Sequence, residues 1–261
     1  ATGEGAVASG EDATATGQGA QASGFHSTAT GALANASGRG ATATGWQAAA
    51  TGDLATATGN NAVASGANST ANGRAATASG ANSSAVGQGA TASAQNSTAT
   101  GQGDTSAGVA STANGQGARA SSVNSTAIGQ GAVASDEDAL AAGQGAQATG
   151  FHSTAVGTQS VASGRGATAS GWQARATGAL SNAFGNSAVA SGENSTAVGR
   201  AATASGANSV ALGNGATAAG SNSVALGNNS TTGDRANTVS VGSAGAERTI
   251  SNVAAGTART D

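Results

Sequence analysis

The sequence predicts an all-β fold, a parallel β-solenoid of fourteen-residue coils, and three regularities carry that prediction. From Gly3 to Gly227 every seventh residue is Gly at 30 of 33 positions, the exceptions being Ala94, Ser122 and Asp136. Two places before each, from Ala1 to Ala225, stands Ala in 32 of 33 cases, with Ser106 departing. Two places earlier again, from Ala6 to Ser230, stands Ala or Ser in 32 of 33, with Asp104 departing. No insertion shifts this lattice, and a disordered chain has no reason to hold such a register.

A seven-residue period points first to a coiled coil, but coiled coils place large apolar side chains at their seam. Here the fixed positions hold Gly, Ala and Ser, and a Gly in every seven residues would cost a helix about 1 kcal/mol each time relative to Ala. The unit [AS]-x-A-x-G instead alternates with period two, the mark of a strand of about five residues with one face restricted to small side chains. The two residues after each lattice Gly, as in Asn214-Gly215 and Asn228-Asn229, have the Gly/Asn character of tight turns. Alternate turns differ. Asn68, Asn82, Asn96, Asn124, Asn194, Asn208 and Asn222 share one fourteen-residue grid, while Gly dominates the other turn, as at Gly5, Gly19, Gly89 and Gly215. Two strands and two turns therefore make one coil, and roughly sixteen coils stacked at about 4.8 Å give a rod on the order of 75 Å.

Composition removes several classes of protein. Gly is 44 of 261 residues, Pro, Cys, Met and Tyr are absent, and the formal charge is −3. Collagen needs Gly at every third residue with abundant Pro, and disorder usually comes with Pro and high net charge. The basic residues number 9, all of them Arg, too few for a nucleic-acid surface. The missing Cys excludes a disulfide framework. No apolar run is long enough to cross a membrane as a helix. Neither a charged-then-apolar leader nor an initiating Met is present, so the sequence reads as a piece of a longer chain.

The two strands of a coil differ at their outward positions. One carries Val86, Ile128, Val156, Phe184, Val198, Val210 with Leu212, and Val224 with Leu226, among Thr and without charge. The other carries Gln21, Arg119, Gln147 and Arg175 among Thr, Val and Ser, and is read as the solvent side. An interior of Ala, Ser and Gly is thin, since each buried methyl contributes about 0.8 kcal/mol against about 1–2 kcal/mol per residue for ordering the backbone. The uncharged strand is therefore expected to be covered by self-association about an axis parallel to the rod.

The stretches NSVALGNGATAAG (208–220), NSTAVGRAATASG (194–206) and NSSAVGQGATASA (82–94) resemble the head repeats of YadA-like trimeric autotransporter adhesins. The resemblance covers essentially the whole chain. It implies a left-handed β-roll with three chains side by side, and so a homotrimer packed along the uncharged strand. Residues 1–231 correspond to the head. Residues 232–261 are similar to the neck that leads to a stalk, with Val239-Ser240-Val241-Gly242, Glu247-Arg248-x-Ile250, Asn252-Val253-Ala254 and Gly256-Thr257 in order. By resemblance, Glu247 and Arg248 link neighbouring chains. The resemblance also implies a bacterial cell-surface location, with membrane contact only through a C-terminal anchor absent from this sequence. One departure stands out: Thr14-Ala15-Thr16, Thr28-Ala29-Thr30, Thr42-Ala43-Thr44 and Thr56-Ala57-Thr58 put hydroxyls where such repeats carry Val, Ile or Leu.

A nine-coil duplication underlies the rod: GQGAQASGFHSTATG at 17–31 recurs as GQGAQATGFHSTAVG at 143–157, and Trp46 recurs as Trp172. Phe25, Trp46, Phe151 and Trp172 each follow a lattice Gly, in a turn, with His26 and His152 next to the two Phe. Exposed aromatics on a rigid scaffold serve as binding anchors; the alternative is that they pack over small neighbours or across a subunit boundary. Two His 126 residues apart make a poor metal site, and no metal or cofactor is expected. Asp136-Glu137-Asp138 lacks the ligand spacing of a calcium loop and reads as a solvated, bulged turn. No Ser–His–Asp set, phosphate loop or carboxylate pair stands out, so an enzyme is not expected. Three functions follow. The first is an adhesin head presenting a stiff repetitive surface to host cell-surface or extracellular-matrix proteins. The second is an ice-binding Thr-ladder solenoid. The third is a passive spacer holding a more distal binding domain.

Overall fold

A computed structural model describes residues 1–254 and 256. It is a single parallel β-solenoid in which each residue of a strand pairs with its counterpart fourteen residues on, as in Thr14↔Thr28 and Val7↔Gln21. The first sheet stacks three-residue strands from Thr14–Thr16 to Val224–Leu226 and ends on Val239–Ser240. The second stacks sixteen two-residue strands, from Val7–Ala8 to Thr217–Ala218. The rod thus has about seventeen rungs, one more than the lattice foretold. Its strands are also shorter than the five residues read from alternation, because the chain turns at each lattice Gly.

The interior is alanine. Ala15, Ala22, Ala29, Ala36 and their successors to Ala225 are essentially fully buried. At the buried position after the second-sheet turn Ser often replaces Ala. At Ser97, Ser111, Ser125, Ser181, Ser209 and Ser223 its hydroxyl donates to the carbonyl three residues back, as Ser181 does to Gly178 at 2.7 Å. The buried hydroxyls of Ser27, Ser69, Ser83 and Ser195 have no partner among the described residues. The core is not continuous. The alanines from Ala15 to Ala99 form one cluster and those from Ala113 onward another. Between them lie buried Asp104, Ser106 and Ser111, the last two with their hydroxyls 2.6 Å apart.

The turns explain the glycine lattice, and they are of two kinds. After each first-sheet strand the lattice Gly has positive φ, from 109° at Gly227 to 158° at Gly115. A Cβ there would also strike the next coil; on Gly157 it would lie 2.6 Å from the Gly171 carbonyl oxygen. After each second-sheet strand the lattice residue lacks positive φ, and only the close approach to the next coil asks for Gly. All three lattice exceptions, Ala94, Ser122 and Asp136, fall in this second column. In regular coils two successive amides there share one carbonyl, as Ser23 and Gly24 do with Ala36 (3.0 and 3.3 Å). Ser93 keeps such a bond to Ser106, whereas the Ala94 amide makes none. In both kinds of turn the second residue is left-handed, which favours Gly and Asn but also holds Leu33, Leu54 and Leu180.

The turn at Asp136-Glu137-Asp138 corrects the expectation of a bulge. The flanking strands keep their pairing, Val133↔Gln147 and Leu140↔Thr154, and Asp138 takes the ordinary left-handed position at φ 53°. A carboxylate at the lattice position fits because this column does not require positive φ.

Candidate functional site

The coil has two turn edges, and each stacks into a ladder along the rod. The first edge follows the first sheet and holds Trp46 and Trp172; the second follows the second sheet and holds Phe25, His26, Phe151 and His152. The six candidate anchors are therefore split between two sides of the rod.

On the second edge the duplication gives two similar clusters. Nε2 of His26 stands 3.1 Å from Oδ2 of Asp12, and Nε2 of His152 stands 3.0 Å from Oδ2 of Asp138. Each imidazole stacks on its neighbouring Phe, with ring centroids 3.8 and 3.9 Å apart. The copies differ one rung further on. Arg39 pairs with Asp53 at 3.5 Å, but Ala179 replaces that carboxylate in the second copy, and Arg165 sits over the Phe151 ring at 5.9 Å. Phe151 is accordingly half-buried while Phe25 is exposed. Sequence spacing alone missed these pairs, although Asp12/His26 and Asp138/His152 each lie fourteen residues apart.

The first edge is a ladder of amides and indoles. Gln102, Gln116, Gln130 and Gln144 each donate from Nε2 to Oε1 of the Gln one coil earlier, at 3.0–3.4 Å, starting from Gln88. Outside this run lie Trp46, Asn60 and Arg74 on three successive rungs, and Trp172, Asn186 and Arg200 on three more. The rungs are tied by turn hydrogen bonds: Asn61 N to Trp46 O at 2.9 Å, Ala75 N to Asn60 O at 2.8 Å, Ser187 N to Trp172 O and Ala201 N to Asn186 O, both at 2.8 Å. The fourteen-residue recurrence of Gln was the available signal for the ladder.

On the uncharged outer face of the first sheet, Val86, Ile128, Val156, Phe184, Leu212 and Leu226 are exposed, between 39% and 45%. Val198, Val210 and Val224 are half-buried beside them. Phe184, Val198, Leu212 and Leu226 are in direct register on successive rungs, an unbroken apolar stripe.

Among the described residues, Asp104 is the buried ionisable group. Its carboxylate accepts from Ala118 N at 2.8 Å and Gly115 N at 2.7 Å. Burial pushes its pKa above the ordinary 3.8, and these backbone hydrogen bonds only partly oppose the shift. Towards the C-terminal end, Arg248 folds back on its own chain. It donates to Ser230 Oγ at 2.8 Å, to Asn228 O at 2.6 Å and to Val241 O. The Gly245 amide, donating at 2.9 Å, holds Glu247 below the usual carboxylate range. Thr257 and residues 258–261, the end of the neck wording, lie outside the described residues.

A rod of alanine-cored, fourteen-residue parallel coils with ladders on both edges is a presenting scaffold of the head-repeat class. The family model for the YadA head domain repeat (two copies) matches residues 1–20, 22–48, 50–76, 78–103, 106–132, 120–146, 148–174, 176–202 and 204–230. The chain belongs to the YadA head-repeat family, whose members are trimeric autotransporter adhesins, and its family and fold are those of an adhesin. Among solved structures it is similar to the collagen-binding domain of the Yersinia adhesin YadA, with 27% identity over 70% of this chain and 78% of that one, at a TM-score of 0.26. No curated protein matches it.

Proposed function

We propose that the chain is the head and start of the neck of a trimeric, outer-membrane-anchored surface adhesin that attaches to host cell-surface or extracellular-matrix proteins. The observation that carries this reading is the apolar stripe from Phe184 to Leu226 on an uncharged face. Exposed side chains aligned along a rod, rather than scattered, call for a covering surface, and a sister chain at the same height offers the matching stripe. Three rods packed side by side would hide Val86, Ile128, Val156, Phe184, Val198, Val210, Leu212, Val224 and Leu226. They would leave the second sheet and the turn edges outside. Phe25, His26, Trp46, Phe151, His152 and Trp172 are the proposed contact residues, weak singly and strengthened by repetition along the rod. Residues 1–231 form the head in this reading, and 232–261 the neck, in which Glu247 and Arg248 of adjacent chains approach one another.

Sedimentation of the purified chain with binding to matrix proteins and epithelial cells tests the proposal. A trimer that attaches is expected; a stable, fully folded monomer, or a trimer that attaches to neither, rejects it. The ice-binding alternative has its own observation, the in-register Thr14–Thr58 ladder on the first sheet. That ladder breaks at Asn72 and Val86, and thermal hysteresis without attachment would favour it. Intact attachment after alanine replacement of all six contact residues would favour a passive spacer.

A further inference from the structure

We propose that the two Trp–Asn–Arg ladders on the first edge, Trp46–Asn60–Arg74 and Trp172–Asn186–Arg200, are binding sites for an acidic polysaccharide. The proposal deepens the adhesin reading by naming a ligand class, and takes its biological setting from it.

Three observations converge. The chain's 2 tryptophans occupy the same rung of the two copies and are 46% and 49% exposed. An open indole is a platform for the apolar face of a pyranose ring, with a polar tip for its hydroxyls. Two rungs away stands an Arg, and among the described residues no carboxylate lies within ion-pair reach of Arg74 or Arg200. Such a guanidinium is suited to forked hydrogen bonding of a carboxylate or sulfate. Between them the exposed amide of Asn60 or Asn186 can both donate and accept, as sugar hydroxyls require. At about 4.8 Å per rung, Trp and Arg are separated by about 10 Å, a reach comparable to a disaccharide with an anion at one end.

Charge separates this edge from its opposite. Beyond Glu4 the first-edge turns carry Arg74 and Arg200 and no acid. The second-edge turns carry Arg39 and Arg165 against Glu11, Asp12, Asp53, Asp136, Glu137, Asp138 and Glu193, a clear acidic excess. A polyanion is therefore drawn to one edge and repelled from the other. The two ladders are nine coils, or about 43 Å, apart on one edge, so a polymer can engage both, and a weak single site gains by avidity.

Because both tryptophans lie in the proposed sites, indole fluorescence of the full assembled chain reads them directly. Heparin, hyaluronan and dextran serve as probes for sulfate, carboxylate and neutral chains. The expected result is solvent-exposed emission in the free protein, and a change on adding heparin or hyaluronan, but not dextran, that weakens with salt. By calorimetry or surface binding, Arg74→Gln with Arg200→Gln and Trp46→Ala with Trp172→Ala should each weaken affinity by about tenfold or more. The arginine pair should also flatten the salt dependence. Arg39→Gln with Arg165→Gln removes the same charge from the opposite edge and should change affinity less than about twofold. Unchanged far-ultraviolet dichroism shows that each variant folds. Buried indole emission in the assembly, equal binding of dextran, or equal loss from both arginine pairs overturns the proposal. A rod that attaches to cells or matrix proteins while ignoring both polyanions also overturns it and leaves the adhesin reading standing. A rod that binds them through these residues but attaches to nothing supports it and rejects that reading.

Discussion

The two kinds of turn predict that identical Gly→Ala changes have unequal costs. Gly131 has left-handed φ (63°) with nothing within 4 Å of an added Cβ, so Gly131→Ala tests conformation alone; its cost should be about 1 kcal/mol. Gly150 lacks positive φ, but a Cβ there would run into the Gly164 carbonyl oxygen, more closely than at Gly157, and would meet the Ser163 carbonyl oxygen at 2.7 Å. The chain itself carries Ala94 in this column, and its amide makes no shared hydrogen bond, nor does that of Gly108 one coil on. Gly150→Ala should lose the 3.4 Å bond to Ala162 while its amide keeps Ser153 Oγ at 3.2 Å, at a cost of about 0.5–1.5 kcal/mol. Gly157 combines both constraints, φ 125° and 2.6 Å to the next carbonyl oxygen, and its own amide holds a 2.8 Å bond to Ala142. Gly157→Ala should therefore cost about 3 kcal/mol or more, the conformational and steric penalties falling on one residue. Thermal and urea unfolding followed by circular dichroism gives the ranking, and amide exchange locates the opening to the neighbouring rungs. If Gly157→Ala proves no more damaging than Gly131→Ala, the assignment of two distinct constraints to the two columns is wrong.

Three further outcomes follow from single residues. Asp104 has a native pKa raised by burial, so the stability it contributes is present below the unfolded value near 3.8 and is lost as pH rises through the raised native value. Asp104→Asn should consequently gain on the parent between pH 3.5 and 7, and parallel melting curves across that range would refute this. Leu180 holds φ 55° while 52% exposed; Leu180→Asn should raise stability by about 0.5–1 kcal/mol, and a lower melting temperature would show that its packing over Gly166 outweighs backbone relief. Arg248→Met removes the three hydrogen bonds that fold the neck onto the last coil. Amide exchange at Val224, which donates to Thr238, should accelerate while exchange at mid-rod amides stays unchanged; exchange unaltered at both would remove the capping role of Arg248.

The lattice made the fold legible because each constraint that shapes a coil recurs in every coil. Alanine at the inward positions, small residues at the turns and an uncharged outer stripe could be read from spacing. What spacing could not separate was two reasons for the same glycine: Gly10 and Gly17 look alike in sequence, and only the backbone shows positive φ at one and not the other. The exceptions held that information, since Ala94, Ser122 and Asp136 share one column, but it acquires meaning only with the torsion angles. The candidate site was partly legible for a related reason. Phe25, His26 and Trp46 stand out by residue type, yet assigning them to opposite edges requires the coil to be closed. Asp104 stood out as an exception, but its place among buried serines, splitting the alanine core, depends on contacts across a coil.

The absence of insertions is also what fixes the two edges relative to each other. Side chains alternate between interior and surface, so one extra residue would turn a strand inside out. A seven-residue slip would keep the alanines inward but exchange the edges, placing the second tryptophan opposite the first. The duplication of nine whole coils does neither. It sets Trp172, Asn186 and Arg200 in line with Trp46, Asn60 and Arg74, and the hydrogen-bonded run from Gln88 to Gln144 fills most of the interval. Register breaks only beyond the second ladder, where Val224 pairs with Val239, fifteen residues on, and Asn222 reaches Asn237. The extra residue is tolerated there because the next rung is the last of the first sheet and Arg248 closes over it. The rod is thus strict over the length that would have to align its ligand contacts, and relaxes only where its chain is leaving the solenoid.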